Sequence, residues 1–487
     1  MSEIPMLAPE IRAALPAEAH AYLAAVEAQV RALQTQVSSL QSQVEALTAR
    51  LNQTSHNSAR PPSSDPPSAP APPAKSGSGR KAGGQPGHKG QQRRWLAEAE
   101  LSGIETHRPT HCCGCGNPLP ADAAPTGETL AQQVWELPPI QPEVIEHRFP
   151  ALCCPHCQTI SRAARPAQVP PGAFGPQVGA LVAVLNGRYR LSKRDVQALM
   201  GEVFGVDMSL GSVVALSEQV GVALHAAYAE VQTVVAQQPH ANLDETSWQE
   251  AAQRRWLTQR VPVAVTTVAT LFYLAASRAG REVAHLVGTA YRGVVGSDRY
   301  SAYRQFAVAQ RQLCWAHLKR DLGACSERSG AVGAWGKRAL AVVAQLFALW
   351  HRFKHGAIDR ATLQAQMHPL QADFHALLVE GQTLPSWSKA QPFCNDLLRL
   401  EPALWTFLFV EGVEPTNNAA ERALRPAVLW RKGCFGSRSQ AGRRFTEAIL
   451  TVTATCRQQQ RPLLPFLSDS LAAHWVGQQA PSLFPTP

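Results

Sequence analysis

From Leu23 the apolar positions fall at Leu23, Val26, Val30, Leu33, Val37, Leu40, Val44, Leu47 and Leu51, an unbroken alternation of three- and four-residue steps. That heptad seam, with mostly Val at one core position and Leu at the other, predicts a parallel two-stranded coiled coil over 17–54. An amphipathic helix packed on its own domain has a similar spacing, but four heptads without drift favour pairing with a second copy or a partner helix. Further on, Val178, Leu181, Val182 and Leu185 share a helix face. Ser192 to Asp195 has capping-box spacing for a second helix through Glu202, and Ser209 can cap a third carrying Val213, Leu216, Val220 and Leu224. The middle pair fits a helix-turn-helix, and equally a plain helical connector.

Beyond 238 the pattern turns to strands, at 255–258, 263–267, 271–275 and 294–298, with a short helix near 281–286. From 323 to about 411 it is helical again: Leu340, Val343, Phe347 and Trp350 share one face, as do Leu363, Met367, Leu370, Phe374 and Leu377. The chain therefore reads as a multidomain α/β protein with a helical insertion. The expected parts are the coiled coil, a linker over 55–100, a cysteine-bearing domain over 101–168, helices over 175–237, an α/β domain over 238–460 and a tail over 461–487.

Composition adds two features. The 487 residues carry a formal charge of +10. Lys75, Arg80, Lys81, Lys89, Arg93 and Arg94 follow one another without an acid, in a Pro, Ser and Gly-rich stretch too poor in apolar surface to fold. A polyanion suits such a segment, as does plain solvation. Six of the eleven cysteines lie at 112, 113, 115, 153, 154 and 157. Two CxxC pairs point to a tetrahedral Cys₄ zinc site, with Cys112, Cys115, Cys154 and Cys157 preferred and Cys113 and Cys153 as competing registers. The stretches 133–137 and 144–149 are expected as strands of a zinc ribbon. The first residues lack an apolar signal core, and the longest apolar run, 261–276, is too short to span a bilayer. A cytoplasmic, nucleoid-associated protein is expected.

Three separated carboxylates carry the candidate chemistry. Asp298 ends the apolar strand that starts at Val294, Asp244 lies in Leu243-Asp244-Glu245-Thr246, and Glu421 lies in Asn417-Asn418-Ala419-Ala420-Glu421-Arg422. Such a set suits a hard divalent cation, Mg²⁺ or Mn²⁺, of the kind that assists phosphodiester chemistry. Each acid also has a bland role: a turn or cap for Asp244 and Asp298, and a capping box from Asn418 with an Arg425 ion pair for Glu421. Glu245 and Glu414 stand near enough in sequence to compete as ligands. Cys314 and His317 have zinc-like spacing but only two local ligands, which reads as support for the carboxylates. Arg422, Arg425, Arg431 and Lys432, interleaved with aromatics, suit a DNA-facing surface.

Asp-Glu-Thr at 244–246, Ser-Asp-Arg-Tyr at 297–300 with Tyr303, Gln-Leu-Cys-Trp-Ala-His-Leu at 312–318 and Asn-Asn-Ala-Ala-Glu-Arg-Ala-Leu-Arg-Pro at 417–426 resemble the bacterial insertion sequence 66 family of DDE transposases. The likeness extends to 57–65 and 83–90, which are similar to that family's linker motifs. It implies a ribonuclease-H-like catalytic domain, Asp244, Asp298 and Glu421 as the metal-binding triad, and double-stranded DNA as partner. Lys81, Lys89, Arg93, Arg94, Lys193 and Arg194 would add DNA contacts, and small accessory proteins of the same element would act beside it. The rival readings are a non-catalytic zinc-containing DNA-binding regulator and a nuclease that only hydrolyses.

Overall fold

The structure, a computed structural model, describes residues 11, 15–51, 93–127, 129–252, 255–385 and 388–484. Lys81, Lys89, both linker motifs and most of the expected linker lie outside these. By compactness the chain divides into a unit of 70–145 with 199–207, and a unit holding the remainder.

The seam forms one helix, α1 (Ala17–Leu51), about 50 Å long at 1.5 Å per residue. Its apolar stripe is open: Leu33 is 54% exposed and Val44 61%. In the cysteine region the strands are β1 (Ala151–Cys153) and β2 (Ile160–Arg162), an antiparallel pair. The expected strands at 133–137 and 144–149 do not form, for these stretches have no ladder partner and their apolar side chains, such as Trp135 (57%) and Val144 (86%), stand in solvent.

The helices that follow are α2 (Pro176–Ala183), continued by a π turn over Val184–Arg188, α3 (Lys193–Phe204), α4 (Leu210–Ala223) and α5 (His225–Ala236). Both serine caps form: Asp195 N–H donates to Ser192 Oγ at 3.1 Å and Ser212 N–H to Ser209 Oγ at 3.0 Å.

A five-stranded mixed sheet comes next. Its strands are β3 (His240–Ala252), β4 (Arg255–Val265), β5 (Thr270–Phe272), β6 (Val294–Ser297) and β7 (Arg311–Leu313), with α6 (Gly280–Val287) between β5 and β6. The sheet order is β5-β4-β3-β6-β7: the first three strands form an antiparallel meander, while β6 joins β3 and β7 joins β6 in parallel. The sequence pattern split β4 into two strands because Pro262 interrupts it, yet the proline lies inside one continuous strand.

The insertion comprises α7 (Trp315–Ser326), α8 (Gly330–Lys354), α9 (Arg360–Gly381), α10 (Ala390–Arg399) and the short α11 (Thr406–Phe409). It has a core of its own, in which Trp315, Trp335, Phe374 and Phe407 are fully buried. The chain then returns to the sheet through α12 (Asn418–Cys434), α13 (Gln440–Gln458) and α14 (Leu463–Val476).

The second core joins the sheet to α2, α4, α5, α12, α13 and α14. The expected boundary at 237/238 therefore cuts through one core, and the expected tail is part of it: Leu463, Phe466, Leu467 and Leu471 are buried there. Among the described residues, α8 and the bent pair of α4 and α5 are long and apolar enough to cross a membrane, and both supply these cores.

Candidate active site

Register brings the first two carboxylates together. In the parallel ladder of β3 and β6, His240 pairs with Val294 and Asn242 with Gly296. This constant offset of 54 residues, carried two residues further, sets position 244 level with position 298 and on the same face. The strands approach closely at the last pair, where a Cβ on Gly296 would come within 2.4 Å of Asn242 Oδ1. Asp298 itself follows the end of β6 and accepts the Tyr300 N–H at 2.9 Å, which fixes its carboxylate in a turn. Asp244 is no strand-end residue: β3 continues to Ala252 because β4 pairs with it along its whole length. Glu245 points to the opposite face by strand alternation, where Arg278 neutralises it.

α12 supplies the third carboxylate. Trp248 shares the Asp244 face of β3 and meets Trp430 edge to face at 6.4 Å. From Asp244 to Trp248 the strand advances four residues, about 13 Å. From Glu421 to Trp430 the helix advances nine, also about 13 Å. Two clamps hold this alignment. Arg431 donates to the Ser247 carbonyl at 2.7 Å and to Thr246 Oγ1 at 3.3 Å. Asn417 donates its side-chain amide to the Leu243 carbonyl at 3.1 Å and its N–H to Cys314 Sγ at 3.3 Å.

The helix begins one residue earlier than the capping-box spacing implies. Asn417 is its N-cap, and that side chain is used on Leu243 rather than on the helix. Glu421 pairs across to α7 instead of along its own helix: Oε1 lies 3.2 Å from Arg320 and 3.5 Å from His317 Nε2. Glu414, about as exposed as Glu421, pairs instead with Lys354 of α8 at 2.9 Å.

Asp244 is held against its charge. Burial, with the nearby Asp298, Glu421 and Glu245 carboxylates adding to it, pushes Asp244 up to about 7 despite an N–H from Glu245. Burial likewise raises the Cys314 thiol to about 11 and drives Tyr303 well above its ordinary value. Burial, then the Arg320 cation, holds His317 below the usual imidazole range.

The supporting cations are Arg311 and Arg320, neither singled out by the sequence. Buried Arg311 donates to the Asp298 carbonyl at 3.1 Å. Arg299 ties the Asp298 turn to the insertion through Asp321 at 2.7 Å and Asp396 at 3.2 Å.

The other expected residues are placed as follows. Arg422, Arg425 and Lys432 lie exposed on one face of α12, whereas Arg431 is spent on β3. Arg194 is exposed, but Lys193 is half-buried and donates to Ser217 Oγ at 3.4 Å. Arg93 donates to the Gln133 carbonyl and lies 5.9 Å over Trp135, and Arg94 pairs with Glu100.

The two CxxC turns share one hydrogen-bond pattern. Cys112 N–H donates to Asn117 O and Gly116 N–H to Cys112 O; Cys154 N–H donates to Thr159 O and Gln158 N–H to Cys154 O, all at 2.9 Å. In both, the residue after the second cysteine takes a positive φ, 72° at Gly116 and 61° at Gln158. In each turn one thiol is lowered below the ordinary cysteine range: backbone N–H groups of Cys115 and Gly114 lower Cys112, and the Thr159 hydroxyl lowers Cys157. Cys153 instead turns its thiol to the Gln158 carbonyl at 3.4 Å.

Several stretches of the chain match known families. Residues 109–158 match the zinc-finger binding domain of transposase IS66, and 6–94 match a family of unknown function. The uncharacterized protein y4hP of Sinorhizobium fredii is 26% identical over 416 residues, covering 78% of this chain and 73% of that protein. The uncharacterized protein y4qI of the same organism is 27% identical over 218 residues, 41% of this chain and 40% of its own length. Residues 171–444, more than half of the chain and all of the carboxylate site, match the transposase IS66 family, and the chain belongs to that family: it is a transposase with a zinc-binding, DNA-binding region.

Proposed function

We propose that this transposase cuts DNA at the ends of its element and joins the freed 3′-hydroxyl to target DNA, with Asp244, Asp298 and Glu421 holding divalent cations, Mg²⁺ or Mn²⁺. The observation that carries this reading is Asp244, a carboxylate raised by burial and by two other carboxylates that converge on it. Such a set is costly alone and suits a hard cation. The buried Asn417 Oδ1, which has no hydrogen-bond partner, adds one more unsatisfied oxygen beside them. The sheet order, an antiparallel meander extended by two parallel strands, supports the ribonuclease-H-like assignment.

When bound, the cation lowers the pKa of the attacking water or 3′-hydroxyl and offsets charge on the phosphate. Asp244 orients from β3 and Glu421 from α12, both rigid elements, while Asp298 is held in the turn after β6 by the Tyr300 N–H. Arg320 holds the Glu421 carboxylate. Burial keeps the Cys314 thiol and the Tyr303 hydroxyl beside the site protonated near neutral pH. The exposed Arg422, Arg425 and Lys432 lead away from Glu421 along α12 and suit a phosphate track. Cys112, Cys115, Cys154 and Cys157 are the proposed zinc ligands. The exposed seam of α1 is the proposed oligomer contact, α3 and α4 are candidates for DNA reading, and accessory proteins remain candidate partners.

The test is cleavage and strand transfer on an element-end duplex with Mg²⁺. Asp244→Asn, Asp298→Asn and Glu421→Gln should each lose at least about a hundredfold in both steps while still binding DNA. Glu414→Gln should stay within a few-fold of the parent. A dead Glu414 variant beside an active Glu421 variant would overturn the triad; cutting without joining would favour a nuclease, and neither step a regulator.

A further inference from the structure

We propose that Cys314, His317 and Glu421 form a second cation site, for a borderline divalent ion of the zinc class, that shares Glu421 with the carboxylate triad. By sequence, Cys-x-x-His offers only two ligands. In the structure the third arrives from α12, more than a hundred residues later, and one ligand atom from each of the three residues lies within 4.8 Å of the others. Tetrahedral zinc, with bonds of about 2.0 to 2.3 Å, needs its ligand atoms about 3.3 to 3.8 Å apart, so a contraction of about 1 Å suffices.

The positions are built rather than incidental. The β6 and β7 ladder pairs Ser297 with Leu313, and one residue further it sets Cys314 beside Asp298. Cys314 caps α7 and His317 lies in that helix's first turn, so both face the start of α12. Cys314 Sγ accepts the Asn417 N–H, which fixes the thiol against the helix carrying Glu421. His317 Nδ1 is buried without a partner, and its Nε2 faces Glu421.

Thiolate and imidazole donors select zinc over Mg²⁺, the reverse of the all-oxygen set next to them. Three protein ligands leave a fourth position for water. Binding releases the Cys314 proton to solvent and forms the metal–sulfur bond, with no change of oxidation state. Occupancy engages Glu421, and through it, resting on the proposed triad, zinc would switch off Mg²⁺-dependent cleavage.

The experiment is zinc counting on the full chain after dialysis against micromolar Zn²⁺. The wild-type chain should hold two equivalents, one of them in the finger, and Cys314→Ser and His317→Gln should each hold one fewer. Should Cys314→Ser fail to fold by circular dichroism, His317→Gln carries the comparison. A single equivalent in the wild type, or equal content in the wild type and both variants, overturns the site. In parallel, Zn²⁺ titrated into the Mg²⁺ cleavage reaction should abolish cutting; a second bound zinc with cutting unchanged overturns the sharing of Glu421. Because the count needs no cleavage, loss of the transposition reading and loss of this site are separately visible.

Discussion

Asp244 lies level with a second carboxylate and faces a third, and its protonation is the cost of that arrangement. The folded chain keeps the Asp244 proton up to about pH 7, whereas an unfolded aspartate releases it near 4. Between those values the folded state binds more protons, so stability falls as pH rises through that window and the loss is complete above about 7. Metal-free Asp244→Asn should therefore melt a few degrees above the parent at pH 8 and close to it at about pH 4; equal melting at pH 8 would contradict the burial account. Asp298, at the end of an apolar strand, was legible from pattern. Asp244 was not, since nothing local reveals that a 13-residue strand runs through it or that β6 pairs two residues short of it. Glu421, read as the third ligand, also had a capping role open to it because spacing along one helix is visible in sequence, while its partners Arg320 and His317 come from another helix.

Single elements divide by how far their partners lie in sequence. The seam of α1 was readable because heptads are local, and its stripe stands in solvent in one chain. A peptide of residues 17–54 should sediment as a helical dimer, and Leu40→Pro should abolish both helix and dimer, since an interior proline costs about 3 kcal/mol or more. A monomeric, unstructured parent peptide would contradict the pairing. The two CxxC turns were likewise local, and their matching hydrogen bonds favour Cys112 and Cys154 over their neighbours 113 and 153. Stretches 133–137 and 144–149 misled because alternating apolar residues resemble a strand even where no ladder partner is supplied. In α12 the end is set by backbone: Gly436 has φ 96° and lies where a Cβ would meet the Gln249 carbonyl at 2.0 Å. That close passage lets Ser437 Oγ accept the Trp248 indole N–H at 3.1 Å and lock helix to strand.

For the whole molecule, the α/β plan and the helical insertion were legible, and the borders were not. A core assembled from α2, α4, α5, the sheet and α12 to α14 gathers residues nearly three hundred positions apart, which no window of periodicity detects. Leu471, fully buried in α14, stands so close to Gly179 of α2 that a Cβ there would meet it at 2.5 Å. Leu471→Ala should cost about 2 to 5 kcal/mol in urea unfolding, a penalty a detached tail would not show.

The insertion between β7 and α12 also sets an order in time. Asp298 leaves the ribosome 123 residues before Glu421, a lag of about 6 to 25 s at 5 to 20 residues per second. Throughout that interval the nascent chain has its pair of aspartates and lacks the glutamate. Arg431 and Trp430, which seat that glutamate against β3, emerge later still. A chain halted anywhere in the insertion carries two of the three proposed metal-binding carboxylates and the whole of the zinc-binding region, so on the proposed mechanism an interrupted copy would hold DNA without the completed means to cut it.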